Sequence, residues 1–171
     1  MKMHAIKVGL LLTMIFNTPV FGNTTMDQNT METIVKTMVR KEEGSAEGKG
    51  GYVSFTYQSV PMLLISDVGH DRMRIIAPIS QSSDLNDQQR ELMLISNFHL
   101  SLDARYAISD GIVYSAYIHP MSSLTEEQIQ SAVRQVSNLA LSFGTAYTSG
   151  ELSFGGEENS PEAANDEDIQ I

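Results

Sequence analysis

The sequence predicts an α+β domain. Its sheet is five-stranded and antiparallel, in the order α-β-β-β-α-β-β-α, with the helices on one face. Three observations carry this. Short runs rich in β-branched and aromatic residues are joined by loops of two to five residues, which close hairpins but cannot make parallel crossovers. Three other stretches place apolar residues at helical spacing. Finally, Asp110-Gly111 stands between two strand-like runs, and this pair accepts the positive φ of a tight primed turn.

The first helix is expected over residues 26–43, where Met31, Ile34, Val35, Met38 and Val39 form one stripe. Gly44 to Gly51 is polar and glycine-rich and reads as a flexible connector. Gly48-Lys49-Gly50-Gly51 lacks both the GK[ST] ending and the preceding strand of a phosphate loop. Three strands follow: Tyr52–Tyr57, Val60–Ile65 and Arg72–Ile79. The middle one is apolar on both faces, as a central strand should be. Pro61 lies near its start, where a missing donor is tolerated. Ser82-Ser83-Asp84 offers a cap for a second helix reaching about Leu100. Leu85, Leu92, Ile95 and Phe98 define its expected buried face, widened by Met93 and Leu94.

The second hairpin runs from Ala104 to Ile118. The third helix has the strongest start signal. Thr125 and Gln128 have the spacing of a capping box, and Leu124 with Ile129 that of the hydrophobic staple. The stripe from Ile129 through Val133, Val136, Leu139 and Phe143 to Tyr147 then covers the sheet. Burying each large member contributes on the order of 1.5–3 kcal/mol.

Both ends read differently. Residues 1–22 have the layout of a signal peptide: basic Lys2 and Lys7, an apolar core from Val8 to Phe16, and small residues before Asn23. The apolar core is shorter than the roughly 20 residues of a membrane span. The expected product is periplasmic or secreted, with residues 23–150 as its single domain. Residues 151–171 hold seven acids and no base and read as a disordered acidic tail. The whole chain of 171 residues has a net charge of −10. Within 23–150 there are 14 acids and 9 bases. A surface of that sign repels phosphate backbones and argues against nucleic-acid binding. No cysteine is present, which excludes zinc-finger, thioredoxin-like and cysteine-nucleophile chemistry.

Several segments together resemble the YbjN-type family of bacterial sensory transduction regulators, whose fold is shared with type III secretion chaperones. The matching pieces are Val60–Ile65, Met73–Ile79, Asn97, Asp103–Ile108, Ile112–Tyr117 and Leu124–Gln128. The resemblance spans roughly residues 30–147. It implies a non-enzymatic, often dimeric module that binds protein segments. The family is mostly cytosolic, whereas this chain carries an export-like leader, and the acidic tail is outside the shared pattern.

No catalytic motif appears: there is no G-x-S-x-G and no H-E-x-x-H. Asp67, His70 and Asp71 share one turn and read as solvated turn residues rather than metal ligands. The dispersed methionines read as core rather than a copper site. No cofactor or metal is expected. Tyr106, Tyr114, Tyr117 and Tyr57 are the candidate partner-binding residues, because tyrosine joins an apolar body to a wet tip. The expected function is an exported interaction module, chaperone-like or regulatory, that binds a protein segment or a second copy of itself through its sheet. The alternative is a periplasmic small-ligand or metal-binding protein with a pocket between sheet and helices.

Overall fold

A computed structural model describes residues 26–150. The leader expected at 1–22 and the tail expected at 151–171 lie outside the described residues. The elements are α1 (Gln28–Lys41), β1 (Ala46–Gly48), β2 (Tyr52–Tyr57), β3 (Val60–Asp67), β4 (Arg72–Gln81), α2 (Asp87–His99), β5 (Arg105–Ser109), β6 (Ile112–His119) and α3 (Glu126–Leu141). The α+β class and the antiparallel sheet match the sequence reading. The sheet has six strands, however, in the order β1-β2-β3-β4-β6-β5.

The sixth strand is β1, which folds out of the stretch read as a connector. Ala46, Glu47 and Gly48 pair antiparallel with Phe55, Ser54 and Val53. This edge strand is held by backbone and by α1, not by apolar side chains, so it leaves no hydrophobic pattern to read. Lys36 Nζ donates to the Gly48 carbonyl at 2.6 Å, and the buried Glu32 carboxylate accepts from the Gly51 N–H at 2.7 Å. Gly51 has φ +85, and a Cβ there would meet the Ser66 hydroxyl and the Gln28 amide.

Strand alternation then decides what is covered. Val53, Phe55 and Tyr57 of β2 are buried, as are Met62 and Leu64 of β3, Met73, Ile75 and Ala77 of β4, and Val113 and Tyr117 of β6. Helices α1 and α3 lie on that side, contributing Met31, Val35 and Val39 from one and Ile129, Val133, Val136 and Leu139 from the other. The start of α3 is as read. Thr125 and Gln128 exchange bonds in a capping box, with Leu124 and Ile129 both buried beside it.

The second helix departs from expectation. A 3-10 turn occupies Ser82–Asp84, and the helix is capped one step later by an Asn86–Gln89 box. It packs at the β5 edge rather than across the sheet face, so among the described residues α1 and α3 are the helices that cover the sheet. Its buried residues are Met93 and Ser96. Leu92 is half-buried, and Ile95 and Phe98 are exposed. Apolar periodicity marked the wrong face because polar groups dock this helix, as described below.

Two hairpin turns use positive φ. Asp110 and Gly111 adopt φ 50 and 78 between β5 and β6, as the dipeptide signals. Gln58 and Ser59 adopt φ 49 and 66 between β2 and β3. Neither is glycine, and left-handed backbone costs a residue with a Cβ about 1 kcal/mol. Gln58 is tied down, since its side-chain oxygen accepts from the Ser137 hydroxyl of α3 at 3.1 Å. Ser59 is exposed. Ser59→Gly is therefore expected to stabilise the domain by about 1 kcal/mol and to raise Tm by roughly 3–5 °C. A lowered midpoint in thermal unfolding followed by circular dichroism would show that the turn carries no such strain.

Candidate protein-interaction surface

The side of the sheet opposite α1 and α3 is covered by no described element. Cross-strand register groups its residues into rows. Tyr52, Ile65, Arg74 and Ile118 stand side by side across β2, β3, β4 and β6. The next row is Ser54, Leu63, Ile76, Ala116 and Arg105. Beyond it come Thr56 paired with Pro61, and Pro78 paired with Tyr114. Tyr52 and Ile118 are each 56% exposed. Leu63, Ile65, Ile76, Tyr114 and Ala116 are half-buried by their neighbours alone. A contiguous apolar surface of this kind marks a binding site more often than isolated exposed residues do.

The four tyrosines singled out from sequence divide between the two sides. Tyr114 lies on the open face. Tyr57, Tyr106 and Tyr117 lie under the helices and are buried to within a few per cent. Tyr106 donates its hydroxyl to the Leu139 carbonyl at 2.7 Å and meets Phe143 and Tyr147 edge-on. Burial pushes its phenol well above the usual range. These three belong to the core, and a partner on the open face would meet Tyr114 and Tyr52 instead. Both sets occur at alternate positions, so parity was legible but the covered parity was not.

A second apolar surface went unread. On α2, Leu94 is 70% and Phe98 76% exposed, with Ile95 beside them. The helix can present them because hydrogen bonds dock its other side. Asn97 Oδ1 accepts from the Tyr106 N–H at 2.7 Å, and its Nδ2 donates to the Tyr106 carbonyl at 3.1 Å. One amide side chain thus acts as a strand neighbour to the outer edge of β5. The Ser96 hydroxyl donates to the Tyr147 carbonyl. Only the Asn97 position could have hinted at this, as a polar residue interrupting the helix pattern.

Between β6 and α3 lies a notch of about 310 Å³, lined by Asp103, Arg105, Tyr117, His119, Gln128 and Gln135 among others. Gln135 is buried, and its side-chain oxygen accepts from the Asp103 and Ala104 N–H groups at 3.0 and 3.1 Å. His119 stacks on Tyr117. Burial, and then the Asp103 carboxylate, raise the Tyr117 phenol above its ordinary value. The lining is polar, unlike the apolar cavity that a small-ligand reading calls for.

The turn residues Asp67, His70 and Asp71 turn to different partners. His70 Nδ1 sits 2.7 Å from Asp67 Oδ2, and that bond chiefly lowers the Asp67 carboxyl. Asp71 instead accepts from the Ser122 N–H and hydroxyl at 2.8 and 2.6 Å, which holds its own carboxyl low. Among the described residues, no group of three or more His, Cys, Asp or Glu could hold a metal ion.

Asn97→Leu should leave the Tyr106 N–H and carbonyl without their partner and cost about 2–3 kcal/mol. The urea midpoint reads this directly. An unchanged midpoint would show that water replaces the amide at no cost.

Neither a family model nor a curated protein matches the chain. Two solved structures show a partial likeness to it. One is the crystal structure of the ExsC–ExsE complex, at 11% identity and a TM-score of 0.45, spanning 66% of this chain and 90% of that one. The other is the HopA1–SchA chaperone–effector complex, at 12% identity and a TM-score of 0.47, spanning 66% of this chain and 94% of that one. Both scores lie below 0.5, so what the chain can bind is a matter for its own geometry.

Proposed function

We propose that this protein is a non-enzymatic interaction module of the YbjN-like, chaperone-related kind, whose open sheet face receives a protein segment. One observation carries the reading. Four strands, β2, β3, β4 and β6, present apolar or aromatic side chains on a face that no described element covers, while α1 and α3 bury most of the opposite face. An extended or amphipathic chain laid on such a face removes apolar area from water at about 25 cal/mol per Å². The resemblance read from sequence points the same way, since it implies a module that binds protein segments. The leader-like residues 1–22 support an exported, periplasmic or secreted setting for that activity.

A second copy of the chain is the other occupant of the same class. The exposed Leu94 and Phe98 on α2 add an apolar surface beyond the sheet face, which a two-fold contact would bury.

The test uses the full chain in its native host. Ile118→Asp places a charge on the open face, and Thr37→Asp places one on the outer side of α1 as a control. Chemical cross-linking should recover a partner with the wild type and the control, and at least tenfold less with Ile118→Asp, all three having the same circular dichroism. Equal recovery from all three would remove the open face from the account. Light scattering at rising concentration separates self-association from capture of another protein.

A further inference from the structure

Thr148, Ser149 and Gly150 are pinned between the ends of α2 and α3. The Ser149 N–H donates at 3.3 Å to the carbonyl of Leu100, the C-cap of α2. Asn138 Nδ2 of α3 donates to the Ser149 carbonyl at 2.9 Å. The Ser142 hydroxyl donates to the Thr148 carbonyl at 2.8 Å and accepts from its N–H at 2.9 Å. Gly150 adopts φ +76, and a Cβ there would meet the Asn138 amide. Contacts to both helices therefore fix where the chain leaves the domain: at the C-terminal end of α2.

An exposed apolar surface starts beside that exit. Phe98 lies two residues before Leu100, and Leu94 one helical turn further back, with Ile95 next to it. At 1.5 Å per residue, Leu94 is about 9 Å along the axis from Leu100. Three such side chains expose on the order of a few hundred Å². A stable interface between two proteins takes roughly 800 Å² from each. The patch is therefore too small to hold a second copy by itself, and its size suits a short segment.

The sequence after Gly150 supplies one. Glu151-Leu152-Ser153-Phe154 precedes Gly155-Gly156, and the other large apolar residues of 151–171 are Ile169 and Ile171 at the far end. On an extended chain, residues two apart share a side at a spacing of about 6.6 Å. Leu94 and Phe98, four apart on one helix face, are about 6 Å apart along the axis. The two spacings match. Reach is sufficient as well, because the stretch from Ser149 to Phe154 spans up to about 16 Å.

We propose that the chain's own segment Glu151–Phe154 docks on the outer face of α2, seating Leu152 and Phe154 on Phe98 and Leu94. This concerns a different surface from the open sheet face and stands independently of that reading. A tether this short gives an effective concentration on the order of millimolar. A contact too small to hold a free peptide can then hold the segment joined to it. Covering α2 in this way leaves the sheet face as the apolar surface offered to other molecules.

The chain has no tryptophan, so Phe98→Trp places a single fluorescent reporter on the patch in the full chain. Phe98 is exposed, and the change leaves the core untouched. Acrylamide quenching reads how well the reporter is covered. Adding Leu152→Ser and Phe154→Ser should raise the quenching constant about twofold, and the difference should survive about a hundredfold dilution, as a tethered contact does. Ile118→Trp, on the open face, should be quenched equally with and without the two serine changes. Equal quenching of the Phe98→Trp reporter in both backgrounds overturns the proposal. Protection lost on dilution assigns the patch to a second copy and overturns it too. A serine effect at Ile118→Trp instead places the segment on the sheet and likewise overturns it.

Discussion

The structure depends on one constraint: a sheet has two faces, and among the described residues helices cover only one of them. Alternation sends Val53, Leu64, Ile75 and Tyr117 to the side roofed by α1 and α3. The same alternation sends Leu63, Ile65, Ile76 and Ile118 to the side without a roof. A strand cannot move one residue to the covered side without moving its neighbours to the open one. An antiparallel sheet with one solvated face usually carries polar residues there. Here the strands keep apolar residues on both sides, and that excess is what the functional reading interprets.

The roof itself is economical. Helix α3 brings a capping box, a staple and an unbroken apolar stripe, and it touches four strands. Helix α1 covers the β1–β2 side and also ties down the glycine turn between them through Glu32 and Lys36, while Gln28 donates to the Ser66 hydroxyl of β3. Helix α2 is held differently. Asn97 completes the outer edge of β5, and Ser96 reaches the chain after α3. A helix anchored by hydrogen bonds does not need its apolar residues for docking, so Leu94 and Phe98 remain outside. The two exposed apolar surfaces therefore arise from different causes, one from sheet parity and one from polar docking.

The features legible in the sequence are those with a local physical cause. Asp110-Gly111 is a turn because of its φ preferences, and Thr125 with Gln128 starts α3 because of unpaired N–H groups at its end. Strand and helix periods placed eight of the nine main elements. What could not be read depends on partners that leave no apolar or capping signal in the local sequence. Strand β1 has no apolar pattern because backbone pairing with β2 makes it. The buried face of α2 is set by backbone groups of Tyr106, on the next strand, and of Tyr147, far along the chain. For the tyrosines, alternation separates Tyr114 from Tyr106 and Tyr117 only after the position of α3 is known. The open face was anticipated as a surface, and of the four candidate tyrosines Tyr114 lies on it.

The central claim is that partners meet the protein on the uncovered side of the sheet. The most direct measurement places a photo-activatable phenylalanine analogue at one position per variant: 114 or 118 on that side, or 37 on α1. Irradiation in the native host, followed by mass spectrometry of the adducts, locates the contact. The account predicts protein adducts from positions 114 and 118 and none from 37. Adducts from 37 with none from either sheet position would contradict it.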